Sequence, residues 1–561
     1  MAAWTAANIS ELVLMSSNHS RSSSDLAPPL VNRRDLRHDV DAGGQPAFHQ
    51  TAPDFAGFFV TAYCAKYDLF ASHIKSAVGR RWEFVKDPAS KGRSMLTQIK
   101  FGTSGWRAVM AEEFTFANVR RAVEGIARYV VLQKPQGARV IVGRDPRFLG
   151  ETFCSMAAEI LAAHGITPLV VAEPAPTPAF AYAVIQSKAD GVINFTASHN
   201  PPEYNGIKFS TPDGCPALPE VTKKIEAEIV AGDNPPSTME AASADKGTLD
   251  PKPMYLKRLG EIIDLEAIRK AGVRVAFDPM WGAARGYSDE LLRSAGADVA
   301  TVHDYRDVLF GGHAPEPDDH LLEDLRIKMR ETGAQIGIAT DGDADRFGIV
   351  DGDGTFLQPN YVIALLFDYL VESRGWKNGV AKSVATTNLI NALAEKHGVE
   401  LYETPVGFKY IGELIMQDKI AIGGEESAGL SIRHHVPEKD GLLAGLLCCE
   451  AVAKRGKPLG EQLKAISNQV GSYYPQRENF RLTPEVKGKF TEKLRVDPKE
   501  FVGHSVSQVV RTDGLKLLFD DGSWVCYRLS GTEPVVRVYT EARSERGSEK
   551  LSTAAKNWIF E

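Results

Sequence analysis

Gly191-Val-Ile-Asn-Phe195 runs without a break into Thr196-Ala-Ser-His-Asn-Pro201, a short β-branched run that ends in a polar turn. The first half reads as a buried strand and the Asn-Pro pair as the turn that stops it. In an open α/β fold, ligands bind beyond the carboxyl ends of the strands. Ser198 therefore stands where a hydroxyl could carry a phosphoryl group, exposed on a polar turn. Taken alone, the same turn reads equally well as a solvated serine.

The surrounding sequence repeats this pattern. Arg139-Val-Ile-Val-Gly143 and Thr167-Pro-Leu-Val-Val-Ala172 are strand-like, and the segments 118–132 and 151–164 are amphipathic with a helical period. Alternation of this kind predicts α/β units. A polar stretch over 231–253 with Asp-Asn-Pro-Pro-Ser reads as a linker. The alternation resumes at Val273-Arg-Val-Ala-Phe277 and again from Val380 to Thr386. The C-terminal part is richer in strand-like runs, among them Leu515 to Phe519 and Val535 to Tyr539. The expected fold class is α/β: three α/β domains with mixed sheets over 95–240, 252–354 and 355–468, then a smaller α+β domain over 472–561, around a central cleft. Residues 1–94 form an N-terminal extension expected to be largely disordered. Its portion over 56–94 could form a short helix, and Met95, just before the first motif, is a possible internal start.

A chain of 561 residues suggests three or four domains. With 43% hydrophobic and 24% charged residues and a formal charge of -7, it lacks the basic excess of a nucleic-acid binder. The six cysteines, Cys64, Cys154, Cys215, Cys448, Cys449 and Cys526, form no C-x-x-C pair and read as reduced core residues. Apolar runs such as Tyr361 to Val371 are too short to span a bilayer, and that one carries Asp368. The N-terminus lacks the basic region and long apolar segment of a signal peptide. A glycan on the sequon Asn194-Phe195-Thr196 would obstruct the Ser198 turn. These points lead to a cytoplasmic location with no nucleic-acid and no membrane partner.

Three further loops carry chemistry. Asp341-Gly-Asp-Ala-Asp345-Arg346 follows the strand-like Gln335 to Thr340 and aims alternate carboxylates at one point. Three anions so close repel unless a cation lies between them, and oxygen-only ligands favour Mg²⁺ over Zn²⁺. An EF-hand is a poor alternative, because Arg346 and Gly352 occupy the places of its glycine and glutamate. A plain acidic turn is the other alternative. Gly423-Gly-Glu-Glu-Ser-Ala-Gly429 offers carboxylates and a hydroxyl to sugar hydroxyls, although a flexible acidic loop has the same composition. Arg528-Leu-Ser-Gly-Thr-Glu-Pro534 combines a guanidinium, hydroxyls and a glycine as a phosphate cradle, or else a turn with a surface ion pair.

In this order, and with the opening Phe101-Gly-Thr-Ser104-Gly-Trp-Arg107, the four loops resemble those of the α-D-phosphohexomutase superfamily, and most closely its phosphoglucomutases. The likeness runs from about residue 96 to the C-terminus. It implies an isomerase that moves a phosphoryl group within a hexose phosphate. Ser198 would be phosphorylated, with Asp341, Asp343 and Asp345 ligating Mg²⁺ together with a phosphoserine oxygen and Arg346 beside the transferring group. Lys208 and His435 are the implied acid–base residues, with His434 adjacent as the other candidate histidine. Ser104, Arg107, His199, Lys409, Glu425, Ser427, Arg528, Ser530, Gly531 and Thr532 would bind substrate. Gly-Glu-Glu-Ser is similar to the glucose-type loop, so glucose 1-phosphate and glucose 6-phosphate are the expected substrates, with a hexose 1,6-bisphosphate as intermediate and activator. A phosphomannomutase or dual-specificity mutase, a hexose 1,6-bisphosphate synthase and a non-enzymatic sugar-phosphate binder are the alternatives.

Overall fold

A computed structural model describes residues 97–102, 104–231, 245–530 and 534–561. The expectations for the N-terminal extension and Met95, and for most of the linker, lie outside the described residues. Among the described residues, twenty-one strands form four sheets. The first sheet contains β1 (Trp106–Val109), β2 (Arg139–Arg144), β3 (Thr167–Val170), β4 (Val192–Phe195), β5 (Tyr204–Ser210) and β6 (Gly247–Thr248), in the order β1-β5-β4-β2-β3-β6. The second contains β7 (Arg274–Asp278), β8 (Asp298–Thr301), β9 (Ile336–Thr340), β10 (Phe347–Asp351) and β11 (Phe356–Leu357), in the order β11-β10-β9-β7-β8. The third is β13-β12-β14-β15, made of β12 (Gly379–Ser383), β13 (Leu401–Thr404), β14 (Ile420–Glu425) and β15 (Gly429–Ile432).

These three sheets share one design. Their inner strands pair in parallel, as β2 does with β3 and β4, β7 with β8 and β9, and β12 with β13 and β14. Parallel neighbours need crossovers, and helices supply them: in the first unit α1 (Phe116–Gln133) leads from β1 to β2, and α2 (Gly150–Ala163) and α3 (Thr177–Ser187) make the crossovers from β2 to β3 and from β3 to β4. Each sheet then turns back on itself through an antiparallel hairpin: β4 to β5, β9 to β10 and β14 to β15. The three acidic or hydroxyl motifs are these hairpin connections.

The fourth sheet is antiparallel throughout. It contains β16 (Tyr474–Arg481), β17 (Glu500–Phe501), β18 (His504–Val510), β19 (Leu515–Phe519), β20 (Trp524–Leu529) and β21 (Val535–Ala542), in the order β16-β21-β20-β19-β18-β17. Its motif occupies the β20–β21 turn. One continuous apolar core joins the first three units, from Phe180 through Tyr255 and Phe347 to Leu447, and a second, containing Phe490, Leu517 and Tyr527, belongs to the fourth sheet. The three-plus-one architecture expected from sequence is therefore present. Among the described residues no helix is long and apolar enough to cross a membrane. Cys154, Cys215, Cys448, Cys449 and Cys526 are free and buried, and Cys64 lies outside the described residues.

His303, which no motif marked, lies just beyond β8 of the second sheet. Its ring stacks on Trp281 with centroids 3.8 Å apart, and its two nitrogens face Asp278 at 3.0 Å and Asp324 at 3.2 Å. Burial alone would lower the imidazole's pKa, but the two carboxylates outweigh it and raise the value above the ordinary 6.5. A raised folded-state pKa means stability that is fully present below the unfolded value and lost as pH climbs through the folded one. The stability gap between wild type and His303→Gln should therefore be larger at pH 6 than at pH 9 in denaturant melts, at about the values that bracket this window. A gap that is flat or grows with pH would contradict the ion-pair assignment.

Candidate active site

Ser198 stands three residues beyond the end of β4 and takes a left-handed φ of 53°. Ala344 between β9 and β10 (φ 60°) and Ala428 between β14 and β15 (φ 69°) do the same. Non-glycine residues rarely hold this conformation, and where they do the surroundings over-determine it. The surroundings here are the other loops. Gly342 lies so close to the serine turn that a Cβ on it would be 2.6 Å from the Ser198 carbonyl oxygen. The Ser198 hydroxyl donates to Asp341 Oδ2 at 2.7 Å. Ser198 is consequently buried, which corrects the expectation of an exposed serine: the aspartate turn of the second sheet packs over it.

Asp341, Asp343 and Asp345 are fully buried, with one oxygen of each within 4.8 Å of the others. Cations crowd the cluster. Lys208 on β5 donates to Asp343 Oδ2 at 2.5 Å and Asp345 Oδ2 at 2.7 Å, and Lys439 donates to Asp345 Oδ2 at 2.7 Å. Thr177, at the start of α3, donates its hydroxyl to Asp343 Oδ2 at 2.5 Å. Burial and the two neighbouring aspartates push the Asp341 carboxyl well above the usual range. Burial acts the same way on Asp345, but Lys208, Lys439 and Arg346 override it and hold that carboxyl well below. Lys208, although buried, is held above its ordinary value by the two aspartates.

The donor set fits a hard divalent ion. All ligating atoms are oxygens, and Asp343 Oδ1 and Asp345 Oδ1 are buried with no hydrogen-bond partner. An unpaired buried carboxylate oxygen is costly unless something positive meets it.

The remaining predicted residues arrange around this centre. Arg107 on β1 donates to Asn200 Oδ1 at 2.9 Å, beside the serine. His199 is half-buried with its Nδ1 enclosed and unpartnered, and its pKa is driven well down by burial and then by Arg346 and Arg107. Ser104 lines a recess with Lys208 and Glu438. Arg346 Nη1 donates to Glu316 Oε1 at 2.9 Å. A cavity of about 460 Å³ opens next to it, lined by Arg346, Glu426, Ser427, Arg477 and Tyr539. Glu425 is buried, accepts Gly407 N–H at 2.7 Å, and has its pKa lifted to about 7 by burial and by Glu426. Lys409 begins the helix after Gly407, with its ammonium 5.3 Å from the Tyr410 ring.

Arg528 on β20 is locked to Asp513, with Nε 2.9 Å and Nη2 2.7 Å from Oδ2. The same carboxylate oxygen accepts Val406 N–H at 3.0 Å, tying the fourth sheet to the loop before Gly407. Ser530 N–H donates to Val535 O at 2.9 Å, and Gly531 and Thr532 lie outside the described residues.

Of the two candidate histidines, one is enclosed and one is exposed. His435 is completely enclosed, with Nε2 2.7 Å from Asp440 Oδ2, an oxygen that also accepts the Tyr255 hydroxyl at 2.7 Å. Asp440 at the same time caps the helix Gly441–Arg455. His435 is thus held at the start of that helix by Asp440, with its Nδ1 buried and without a hydrogen-bond partner. Its neighbour His434 is largely exposed and stacks near Trp376. The group from this segment that reaches the centre is Lys439. Its stem passes over Gly429, where a Cβ would stand 2.2 Å from Lys439 Cδ. The motif was read for its histidine, and the lysine between two acids was the overlooked signal. Thr177 and Glu316 had no signal at all.

The comparisons agree with this geometry. The chain matches the phosphoglucomutase/phosphomannomutase α/β/α domain I over residues 98–235, domain II over 253–354, domain III over 358–470 and the C-terminal domain over 485–555. It is 32% identical over 447 residues to a phosphoglucomutase/phosphomannomutase of Thermococcus kodakarensis, covering 79% of this chain and 95% of that protein. It is 29% identical over 510 residues to a phosphoglucomutase of Komagataeibacter xylinus, covering 82% and 91%. The crystal structure of a phosphoglucomutase/phosphomannomutase family protein from Burkholderia thailandensis superposes with a TM-score of 0.70 at 25% identity, over 82% of this chain and 97% of that one. The chain belongs to the phosphoglucomutase/phosphomannomutase family and is an isomerase of the phosphohexomutase superfamily.

Gly342 gives a direct test of the two-loop contact. Gly342→Ala should force the aspartate turn off the serine turn, lowering kcat at least tenfold and destabilising the protein by about 1–3 kcal/mol, the usual range for overpacking. Unchanged activity and melting temperature would mean that the two turns do not touch.

Proposed function

We propose that this chain is a Mg²⁺-dependent phosphoglucomutase that interconverts glucose 1-phosphate and glucose 6-phosphate through phosphorylated Ser198 and a glucose 1,6-bisphosphate. The observation that carries the reading is the hydroxyl of Ser198 buried against Asp341 in a cluster of three carboxylates. A buried serine among acids has no packing purpose, but it suits a phosphoryl carrier beside a metal. Magnesium held by Asp341, Asp343, Asp345 and a phosphoserine oxygen would neutralise charge on the transferring group and keep it in line.

The chain's own residues do the rest. In the forward half-reaction the P–O bond to Ser198 Oγ breaks and a P–O bond to the free sugar hydroxyl forms, and the hydroxyl's proton is made good on Oγ. The bisphosphate then reverses its orientation, and its other phosphate returns to Ser198. Arg346 stands beside the phosphoryl group and offsets its charge. Lys208 keeps its proposed acid–base part by position, whereas His435 is withdrawn from that part because it is sealed away. Glu425, Glu426 and Ser427 face the sugar ring, and Gly-Glu-Glu-Ser favours glucose. Arg107, His199, Ser104 and Lys409 line the cleft. Ser530, Gly531 and Thr532 join Arg528 on the phosphate that is not reacting.

A coupled assay with glucose 1-phosphate, mannose 1-phosphate and glucosamine 1-phosphate, primed with hexose 1,6-bisphosphate, tests the substrate. Glucose 1-phosphate should give the highest kcat/KM. A clear preference for another sugar would overturn the glucose reading, and net release of bisphosphate would favour a synthase. Chelation should abolish turnover and Mg²⁺ restore it, with Asp343→Asn raising the Mg²⁺ concentration required. A metal-independent rate would leave only an acidic turn.

Arg528→Ala should raise KM for both glucose phosphates by about ten- to a hundredfold, the worth of a charged hydrogen bond, without changing phosphorylation of Ser198. A normal KM for both would reduce the loop to a turn.

A further inference from the structure

Arg147 is fully buried, and every N–H of its guanidinium is used. Nε donates to Asp145 Oδ2 at 3.1 Å. Nη1 donates to the carbonyls of Pro201 at 2.8 Å and Tyr204 at 2.9 Å. Nη2 donates to those of Ser198 at 2.7 Å and Asn200 at 2.6 Å. One side chain therefore collects four carbonyl oxygens from the turn that carries the reactive serine. Only a planar five-donor fork can do this, since lysine has three donors at one point.

Asp145 completes the arrangement. Its Oδ1 accepts Arg147 N–H at 2.9 Å, and its Oδ2 accepts the Thr196 hydroxyl at 2.6 Å. The Thr196 hydroxyl oxygen in turn accepts Ser198 N–H at 2.9 Å. Both peptide groups of Ser198 are thus tied back to one ion pair, while its hydroxyl alone reaches across to Asp341. That accounts for a serine resting at a φ of 53°, a conformation that needs outside support. Topology makes the contact: Asp145 and Arg147 follow β2, Thr196 follows β4, and these strands are parallel neighbours. The Phe310 ring, in the connection between β8 and β9, has its centroid 4.9 Å from the guanidinium carbon.

We propose that Arg147, Asp145 and Thr196 form a main-chain clamp that sets the attack geometry of Ser198, making Arg147 a positioning residue for phosphoryl transfer. The inference rests on the proposed phosphoserine mechanism. The clamp holds peptide groups only and touches neither Oγ nor the sugar. It therefore keeps the turn in one conformation whether Oγ carries a phosphoryl group or a proton, which a carrier used twice per cycle requires. A clamp of this kind acts on kcat and leaves sugar binding to the other loops.

Thr196→Val removes the hydroxyl at nearly constant volume, Thr196→Ser keeps it, and Arg147→Lys keeps the charge without the fork. Each is assayed for kcat, KM and the rate at which glucose 1,6-bisphosphate phosphorylates Ser198, read by quenched flow and intact mass. Thr196→Val and Arg147→Lys should lower kcat and the phosphorylation rate together by roughly tenfold or more, with KM within about twofold of wild type and Thr196→Ser near wild type. Wild-type rates in Thr196→Val, or a raised KM at constant kcat, would overturn the clamp. If Arg147→Lys does not fold, Thr196→Val decides. If the wild-type protein itself takes no phosphoryl group, the mechanism falls and the clamp with it. If it does and Thr196→Val matches it, the clamp alone falls.

Discussion

Three carboxylates buried within 4.8 Å of one another set the constraint that the other loops answer. Anions at that spacing, withdrawn from water, cannot all keep their charge without compensation. The molecule gathers Lys208 from the first sheet, Arg346 from the second and Lys439 from the third around them. The imbalance remains visible in Asp341, whose carboxyl is pushed well above the usual range by burial and by the other two aspartates, and in the two orphaned oxygens of Asp343 and Asp345. A centre assembled by cations from separate units holds those units together, and it is also where a metal would relieve the residual repulsion. Structural cohesion thus draws on the same charges that would meet a metal.

The placement of the motifs follows from sheet topology. A parallel strand that hands over to an antiparallel partner needs only a tight turn, and that turn lies at the strand's carboxyl end. Three successive units use this device, and each turn carries a non-glycine residue in the left-handed region. The fourth unit is attached differently. Glu541 on β21 is fully buried and accepts Asn388 N–H at 2.9 Å, Trp524 Nε1–H at 2.8 Å and the Thr387 hydroxyl, so it caps the helix that begins at Leu389. Buried Lys516 donates to Val384 O at 2.8 Å and shares Glu403 with Lys382. Burial, then Lys516, depresses the Lys382 ammonium to about 7. This polar seam, together with the Asp513 link from Arg528 to Val406, keeps Arg528 beside the loop before Gly407.

Much of this was legible in the residues. Strands such as Leu515–Phe519 coincide with their apolar runs, and helix Phe116–Gln133 lies within two residues of the segment read at each end. Ser198, the aspartates and Lys208 could be named because their chemistry is local and their order along the chain is distinctive. What stayed hidden was set by other domains. The burial of Ser198 depends on a turn 143 residues away. His435 looked catalytic by position, yet its environment is decided by Tyr255, 185 residues from Asp440. Thr177 and Arg147 carry no motif of their own, since a threonine after a proline and an arginine after a strand are ordinary until the fold brings a partner to them.

The central claim is that Ser198 and the three aspartates form one metal-dependent phosphoryl-transfer centre. Crystals of the phosphorylated protein grown with Mn²⁺ in place of Mg²⁺, with data collected at the manganese edge, test it most directly. The account predicts a single anomalous peak bonded to Asp341, Asp343, Asp345 and a phosphoserine oxygen, each at about 2.1 Å, with Lys208 displaced from Asp343. No anomalous peak among the aspartates, with Lys208 still bridging Asp343 and Asp345, would contradict it.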